Sequence, residues 1–292
     1  MQGKVCLVTG ANRGIGRATA EGLARLGATV IMVCRNRAAG EQARQEIIAA
    51  TGNTEIELLV ADLSVQAEVR ALAREIHARH PQLHLLVSNA GVYHQQRVAT
   101  VDGIEATFAV NHLAGFILIR ALLDVMQAAA PARIVLVASA AHWRATDPED
   151  WESAKGYRPL IAYSRSKLAN VIFGYDLARR LEGTRITVNS CHPGLVNSQL
   201  LEAIYDRWWL RWLCPATKKL LAITAEEGAE TVLYLATAPE LDGVTGKYFR
   251  NMRAAASSRI SHDTALGERL WGRSLRYVGD LPAVKRDTIA AN

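Results

Sequence analysis

Tyr163 and Lys167 stand four residues apart in the run Tyr-Ser-Arg-Ser-Lys, a spacing that puts both side chains on one face of a helix. A phenol ordinarily titrates at about 10, too high for base chemistry at neutral pH. A lysine ammonium within a few ångströms favours the phenolate and lowers that value. The pair is therefore a candidate acid and base. Ser139, which ends an apolar strand-like run, can hold a substrate oxygen while Tyr163 exchanges its proton. A Tyr and a Lys on a helix also make an ordinary surface pair, so the reading depends on what precedes them.

What precedes them is the loop Thr9-Gly10-Ala11-Asn12-Arg13-Gly14-Ile15-Gly16. Its glycines permit positive φ and let the backbone approach a pyrophosphate. The N–H groups of the helix that follows favour the phosphates. A bare glycine pattern is weak evidence. Between the first strand and first helix of a βαβ unit it is a dinucleotide fingerprint. A free ribose 2′-OH is met by Asp or Glu about 20 residues past such a loop. Here that place holds Cys34 and Arg35, with Arg13 inside the loop. Two guanidinium groups suit a 2′-phosphate, so NADP(H) is expected over NAD(H). Asp62 and Leu63 follow the third strand and would border the adenine, a helix N-cap being the competing role for Asp62. Ser88-Asn89-Ala90-Gly91 follows the fourth strand, and its small residues suit a backbone passing close to a ligand at the carboxyl ends of the strands.

These groups need a frame. Apolar runs of strand length at Lys4–Thr9, Ala28–Cys34, Glu55–Val60, Leu83–Ser88, Arg133–Ala138 and Arg185–Ser190 alternate with amphipathic segments at Gly14–Leu26, Arg37–Ala50, Val65–Arg79, Val101–Ala128 and Tyr163–Leu181. Continuous apolar strands spaced by helices predict a parallel sheet covered on both faces. Right-handed crossovers then give an α/β, doubly wound Rossmann sheet of about seven strands. No linker or repeat divides residues 1–292, so a single domain is expected. The stretch His142–Pro159 is polar and turn-rich. Asn197–Ile223 is helical in pattern and holds Trp208, Trp209 and Trp212. A capping box at Thr224 and Glu227 opens another helix, and Tyr248-Phe249 is strand-like.

Half of the 292 residues are apolar and 21% are charged, ordinary for a chain with a large core. The net charge of +6 comes mostly from dispersed arginines with no recognition motif, which argues against nucleic acid. The longest apolar stretch, near Leu113–Met126, is interrupted by Arg120 and Asp124 and is short of the roughly 20 residues of a membrane span. The first strand is expected to begin by Lys4, so no targeting segment is expected. Cys6, Cys34, Cys191 and Cys214 have no metal-ligand or redox spacing, so buried thiols in a reducing cytoplasm are expected. His94, His112, His142 and His192 lie near the motifs without metal-ligand spacing and read as surface groups or supports behind the site.

The ordered set resembles the short-chain dehydrogenase/reductase family, and the retinol dehydrogenase-like branch in particular. It comprises the glycine loop, Asn89-Ala90-Gly91, Val110-Asn111-His112-Leu113-Ala114-Gly115-Phe116, Ser139, Tyr163-Ser-Arg-Ser-Lys167-Leu-Ala-Asn170, His192-Pro193-Gly194 and a late Gly-Asp-Leu-Pro at 279–282. The wide gap between Ser139 and Tyr163 fits that branch too. The resemblance spans essentially the whole chain. It implies that Asn111 holds a water linking Lys167 to a proton relay, where alone Asn111 reads as a helix residue satisfying a backbone group. It also implies that Pro193, Gly194, Val196 and Ser198 line the nicotinamide end, where Pro-Gly alone reads as a turn. Ser88 departs from a more usual Asn, and Ala114-Gly115 from Gly-His. No counterpart of the membrane anchor of animal retinol dehydrogenases is expected. Residues 197–223 fall where the family has a mobile lid, with a protein interface or shallow membrane contact through Trp208–Trp212 as the other roles. Homo-oligomers are common in the family through the helices holding Asn111 and Tyr163.

The expected function is NADP(H)-dependent interconversion of an alcohol and a carbonyl on a fairly apolar small molecule. Tyr163 is the acid/base, Ser139 holds the oxygen, Lys167 tunes Tyr163, and Asn111 supports the relay. A reductase of conjugated C=C bonds and a non-catalytic cofactor sensor or scaffold are the alternatives.

Overall fold

The computed structural model describes residues 1–194, 223–279 and 281. The elements run β1 (Val5–Thr9), α1 (Gly14–Arg25), β2 (Thr29–Cys34), α2 (Arg37–Thr51), β3 (Ile56–Val60), α3 (Gln66–Arg79) and β4 (Leu85–Ser88). Next come α4 (Ala106–Phe108), a π-helical turn at Ala109–Leu113, α5 (Ala114–Ala121), α6 (Leu123–Ala128) and β5 (Ala132–Val137). The chain continues through α7 (Pro159–Arg180), β6 (Ile186–His192), α8 (Ala225–Thr237), β7 (Lys247–Arg250), β8 (Arg253–Ala254) and α9 (Thr264–Val278).

One sheet of eight strands has the order β3-β2-β1-β4-β5-β6-β7-β8, parallel except for the β7–β8 pair. The eighth strand, beyond the seven expected, is a two-residue edge. Side chains alternate across the sheet, as the period of two requires. Leu7, Ile31, Leu86, Ile134 and Val188 enter one apolar layer, and Cys6, Val30, Val87, Val135 and Cys191 enter the other. Both layers are covered by helices, so the strands read as unbroken apolar runs. The order of connection reverses between β1 and β4, which opens a crevice at their carboxyl ends where such sheets bind ligands.

Two expectations are corrected. The helix expected over Val101–Ala128 starts only at Ala106, because the Glu105 carboxylate accepts the N–H groups of Thr107 and Phe108 at 2.8 Å each and caps it there. It is then broken at Leu122, where φ −112° and ψ 6° leave the helical region. The helix carrying Tyr163 starts earlier, at Pro159, a residue suited to a first helical position that needs no N–H donor. The polar, turn-rich stretch after His142 is docked onto the core. Trp151 is buried against Phe108, ring centroids 6.1 Å apart, and buried Arg165 donates to the Thr146 carbonyl, Asp150 and Ser153.

The capping box forms as expected, with Thr224 Oγ1 accepting from Glu227 N at 3.1 Å and Glu227 Oε2 accepting from Thr224 N at 2.7 Å. Helix α9 closes one face of the molecule. Its Trp271 packs on Phe116 of α5 and Phe173 of α7, with ring centroids 5.1 and 5.9 Å away. Among the described residues no helix is long and apolar enough to cross a membrane.

Candidate active site

Tyr163, Ser166, Lys167 and Asn170 follow one another at helical spacing on α7, and all four are buried. Ser139 sits just beyond β5 as the N-cap of a 3₁₀ turn at Ala140–Arg144, its Oγ accepting from Ala141 N at 3.1 Å. Its side chain faces Tyr163 closely enough to oppose the upward shift of the phenol. The end of β5 and the face of α7 thus bring together the two groups that the sequence singled out.

The electrostatics differ from the expectation that Lys167 lowers Tyr163. Lys167 Nζ donates to the Val137 carbonyl at 2.9 Å and lies 5.7 Å from the Tyr163 ring centroid. Burial pushes the Tyr163 phenol above its ordinary value, with the Ser139 hydroxyl opposing. Burial also pulls Lys167 down to about 8, against the neighbouring Cys191. Removing water penalises the charged form of each group. Tyr163 is therefore held protonated.

Asn111 lies in the π-helical turn, a local irregularity often found at functional sites. Its Oδ1 accepts from Val92 N at 2.7 Å, and its Nδ2 donates to the Val92 carbonyl at 3.1 Å and to Ser166 Oγ at 2.9 Å. The side chain thus satisfies backbone groups, as the plainer reading had it, and ties the loop after β4 to α7. Gly91 lies over the same corner, where a Cβ would stand 3.5 Å from both Asn111 Oδ1 and Lys167 Nζ.

The glycine loop is built for close approach. Gly10 and Gly14 have φ of +67° and +55°, and a Cβ on Gly16 would stand 2.2 Å from the Gly10 carbonyl oxygen. Asn89 and Ala90 stitch the β4 loop to β1. Both backbone N–H groups donate to Thr9 Oγ1 at 3.0 Å, and Asn89 Nδ2 donates to the Thr9 carbonyl at 2.8 Å. At the N-terminus of α1, Arg13 supplies no side-chain cap and the first turn holds no acid. Those first N–H groups are thus available to an anion. Asn12 and Ile15 are half-buried in the same loop. The donor set fits a dinucleotide phosphate.

Arg13 and Arg35 are both exposed near this crevice. Arg35 Nη1 lies 3.7 Å from Asp62 Oδ2. Asp62 does not cap α3, whose N-cap is Val65. Its Oδ1 instead accepts from Ser64 N and Ser64 Oγ at 2.9 and 2.7 Å. Leu63 packs against the core. Pro193 and Gly194 follow β6, Gly194 with φ +95°. Val196, Ser198 and the tryptophan segment, including Trp208–Trp212 of the expected lid, lie outside the described residues.

Other groups beside the site carry no motif. Tyr93 meets the Tyr163 ring edge-on at 5.9 Å; its place directly after the Asn89–Gly91 loop was the available signal. Ser166 was readable only as the residue one turn beyond Tyr163. His112, His142 and His192 are buried, so none of these three is a surface group. Cys6, Cys34 and Cys191 are buried and free. Among the described residues no cluster of three His, Cys, Asp or Glu could hold a metal ion.

The family model for short chain dehydrogenases matches residues 4–208. The chain is a short-chain dehydrogenase/reductase. It is 42% identical to mouse retinol dehydrogenase 14 over 292 residues, covering 96% of this chain and 87% of the relative, which places it with the retinol dehydrogenase-like members. Among solved structures, a Mycobacterium paratuberculosis protein is 29% identical, with a TM-score of 0.78 over 97% of this chain and 96% of its own. The Pseudomonas aeruginosa RhlG/NADP active-site complex is also 29% identical, with a TM-score of 0.68 over 85% of this chain and 94% of its own. The protein is thus an oxidoreductase of alcohol and carbonyl groups that uses a nicotinamide cofactor and a small-molecule substrate.

Proposed function

We propose that this short-chain dehydrogenase/reductase is NADP(H)-dependent and interconverts an alcohol with an aldehyde or ketone on a fairly apolar small molecule, Tyr163 being the acid/base. The observation that carries the reading is the buried Tyr163 phenol with the half-buried Ser139 side chain acting on it, beside a crevice whose helix N-terminus is open to a phosphate. When bound, NADPH supplies the hydride. Tyr163, held protonated by burial, gives its proton to the substrate oxygen, and the Ser139 hydroxyl orients and stabilises that oxygen. The carbonyl gains one hydride and one proton, and the alcohol forms. Lys167 and Asn111 fix the corner from which Tyr163 works.

Preference for the phosphorylated cofactor is supported by Arg13 and Arg35 and by the NADP complex of the Pseudomonas relative. Arg35 is exposed and its partner Asp62 half-buried, and a pair open to solvent on one side is worth about 1 kcal/mol, so Arg35 can exchange Asp62 for a 2′-phosphate. The apolar substrate class is supported by the likeness to retinol dehydrogenase 14, retinol being a largely apolar alcohol. Residence in the cytoplasm belongs to the same proposal and is checked by fractionation.

The test titrates NADPH and NADH, then screens aldehydes and ketones with product analysis. Tyr163→Phe should bind NADPH as the wild type does and lose at least about 100-fold in turnover. Near-normal turnover in that variant would refute the mechanism.

A further inference from the structure

His142 is three residues past Ser139 and fully enclosed, at 1% exposure. Its backbone N–H donates to the Ser139 carbonyl at 3.1 Å, and its ring Nδ1 meets the same oxygen at 2.7 Å. On the far side of the ring, Nε2 accepts from the backbone N–H of Ser258 at 3.0 Å. These partners assign one tautomer. A carbonyl oxygen only accepts, so Nδ1 carries the hydrogen; an amide N–H only donates, so Nε2 is bare. Burial favours the neutral ring, the Ser139 carbonyl opposing. Tyr248 and Trp143 fix the ring from the sides, with centroids 5.1 and 5.5 Å away. Ser258 belongs to the segment between β8 and α9, so the ring spans 116 residues of sequence.

We propose that His142 is a positioning residue for Ser139, bridging its backbone to the chain at Ser258 and so fixing where the Ser139 hydroxyl points. Ser139 follows Ala138, whose N–H makes the last bond to β6, to the Cys191 carbonyl at 2.8 Å, and the sheet alone does not set the direction of the residue after it. Two bonds from one residue to one carbonyl, with that residue braced from the opposite side, supply the missing constraint. The inference rests on Ser139 being the oxygen-binding hydroxyl of the proposed reaction.

The test compares His142→Phe, His142→Asn and His142→Gln in the full-length protein, using a carbonyl compound that the wild type reduces. Phe keeps the volume and loses both bonds, Asn can keep the donor toward Ser139, and Gln can keep the acceptor toward Ser258. Misplacing a reacting group by about 1 Å costs roughly 100-fold, so His142→Phe should lose about that much kcat. Its NADPH affinity should stay within about twofold, because the phosphate-binding loop is separate. His142→Asn should recover at least about tenfold over Phe, and Gln should recover less than Asn.

A Phe variant with near wild-type kcat overturns the inference, as does one that loses NADPH affinity and kcat in equal measure. If Phe does not fold, the Asn–Gln contrast decides, and Gln equalling or exceeding Asn overturns it. Tyr163→Phe separates the two levels. If that variant keeps turnover, the proposed reaction falls; if it is silent while His142→Phe is fully active, only the bridge falls.

Discussion

Asn111 Nδ2 donates to Ser166 Oγ at 2.9 Å, and Ser166 Oγ donates in turn to the Tyr163 carbonyl at 2.8 Å. A side chain in a π-helical turn is thereby linked to the backbone of the acid/base residue. Since Asn111 also pairs both backbone groups of Val92, one carboxamide joins the β4 loop, the turn and α7.

Asn111→Ala should therefore weaken the fold as well as the chemistry. It strands the Val92 N–H and carbonyl and deprives Ser166 of its donor, and one stranded buried group costs about 1–3 kcal/mol. We expect a loss of about 2 kcal/mol or more in urea unfolding, with reduced NADPH affinity, since Gly91 rests on the same side chain. An unchanged unfolding midpoint would mean that the three contacts contribute nothing net.

Gly16→Ala tests the phosphate cradle. The new methyl would stand 2.2 Å from the Gly10 carbonyl and 2.4 Å from Asn89 Nδ2, so backbone has to move. Overpacking of this kind costs about 1–3 kcal/mol, and about 1.4 kcal/mol corresponds to tenfold in affinity. NADPH fluorescence titration should show at least that loss; wild-type affinity would place the cofactor away from this loop.

The pH dependence of kcat/KM should carry a falling limb near pH 8. Burial lowers Lys167 to about 8, so its ammonium is present below that pH and lost above it. The Tyr163 phenol is shifted upward and stays protonated across the same range, so the limb belongs to the lysine. A profile flat to pH 10 would contradict this assignment.

Acid should weaken the fold through His112. Buried, with Nε2 3.0 Å from Ser274 Oγ, it is lowered to about 3. Between its ordinary value of about 6.5 and that folded value, the unfolded chain takes up a proton that the native state refuses. Stability therefore falls as pH drops through this window, by up to about 1.4 kcal/mol per unit. His112→Phe should flatten that part of the curve, measured by urea unfolding between pH 7 and 4; an unaltered slope would assign it to other groups.

Much of this was legible without coordinates. Strands β1 to β6 lie within one to two residues of their expected limits because both faces are buried and each reads as a single apolar run. The order of the glycine loop, Ser139, Tyr163 and Lys167 carried the site. What escaped depends on contacts distant in sequence. The direction of the Tyr163 shift follows from enclosure, and the Lys167 ammonium is directed at Val137 by the packing of α7 against β5. The π-helical turn leaves no mark, since Ala109–Leu113 continues an apolar helical pattern. The edge strand β8 is too short to show periodicity.

Helix α9 has one more consequence. All of α5 but Ala121 is buried, as is α7 from Ala162 through Gly174, and α9 covers them through Trp271, Leu270 and Ser274. Phe116 and Phe173 touch each other with ring centroids 5.3 Å apart, and Trp271 stands against both. The chain thus shields this aromatic pair with its own last described helix, and anything that is to reach those two rings has first to displace Trp271.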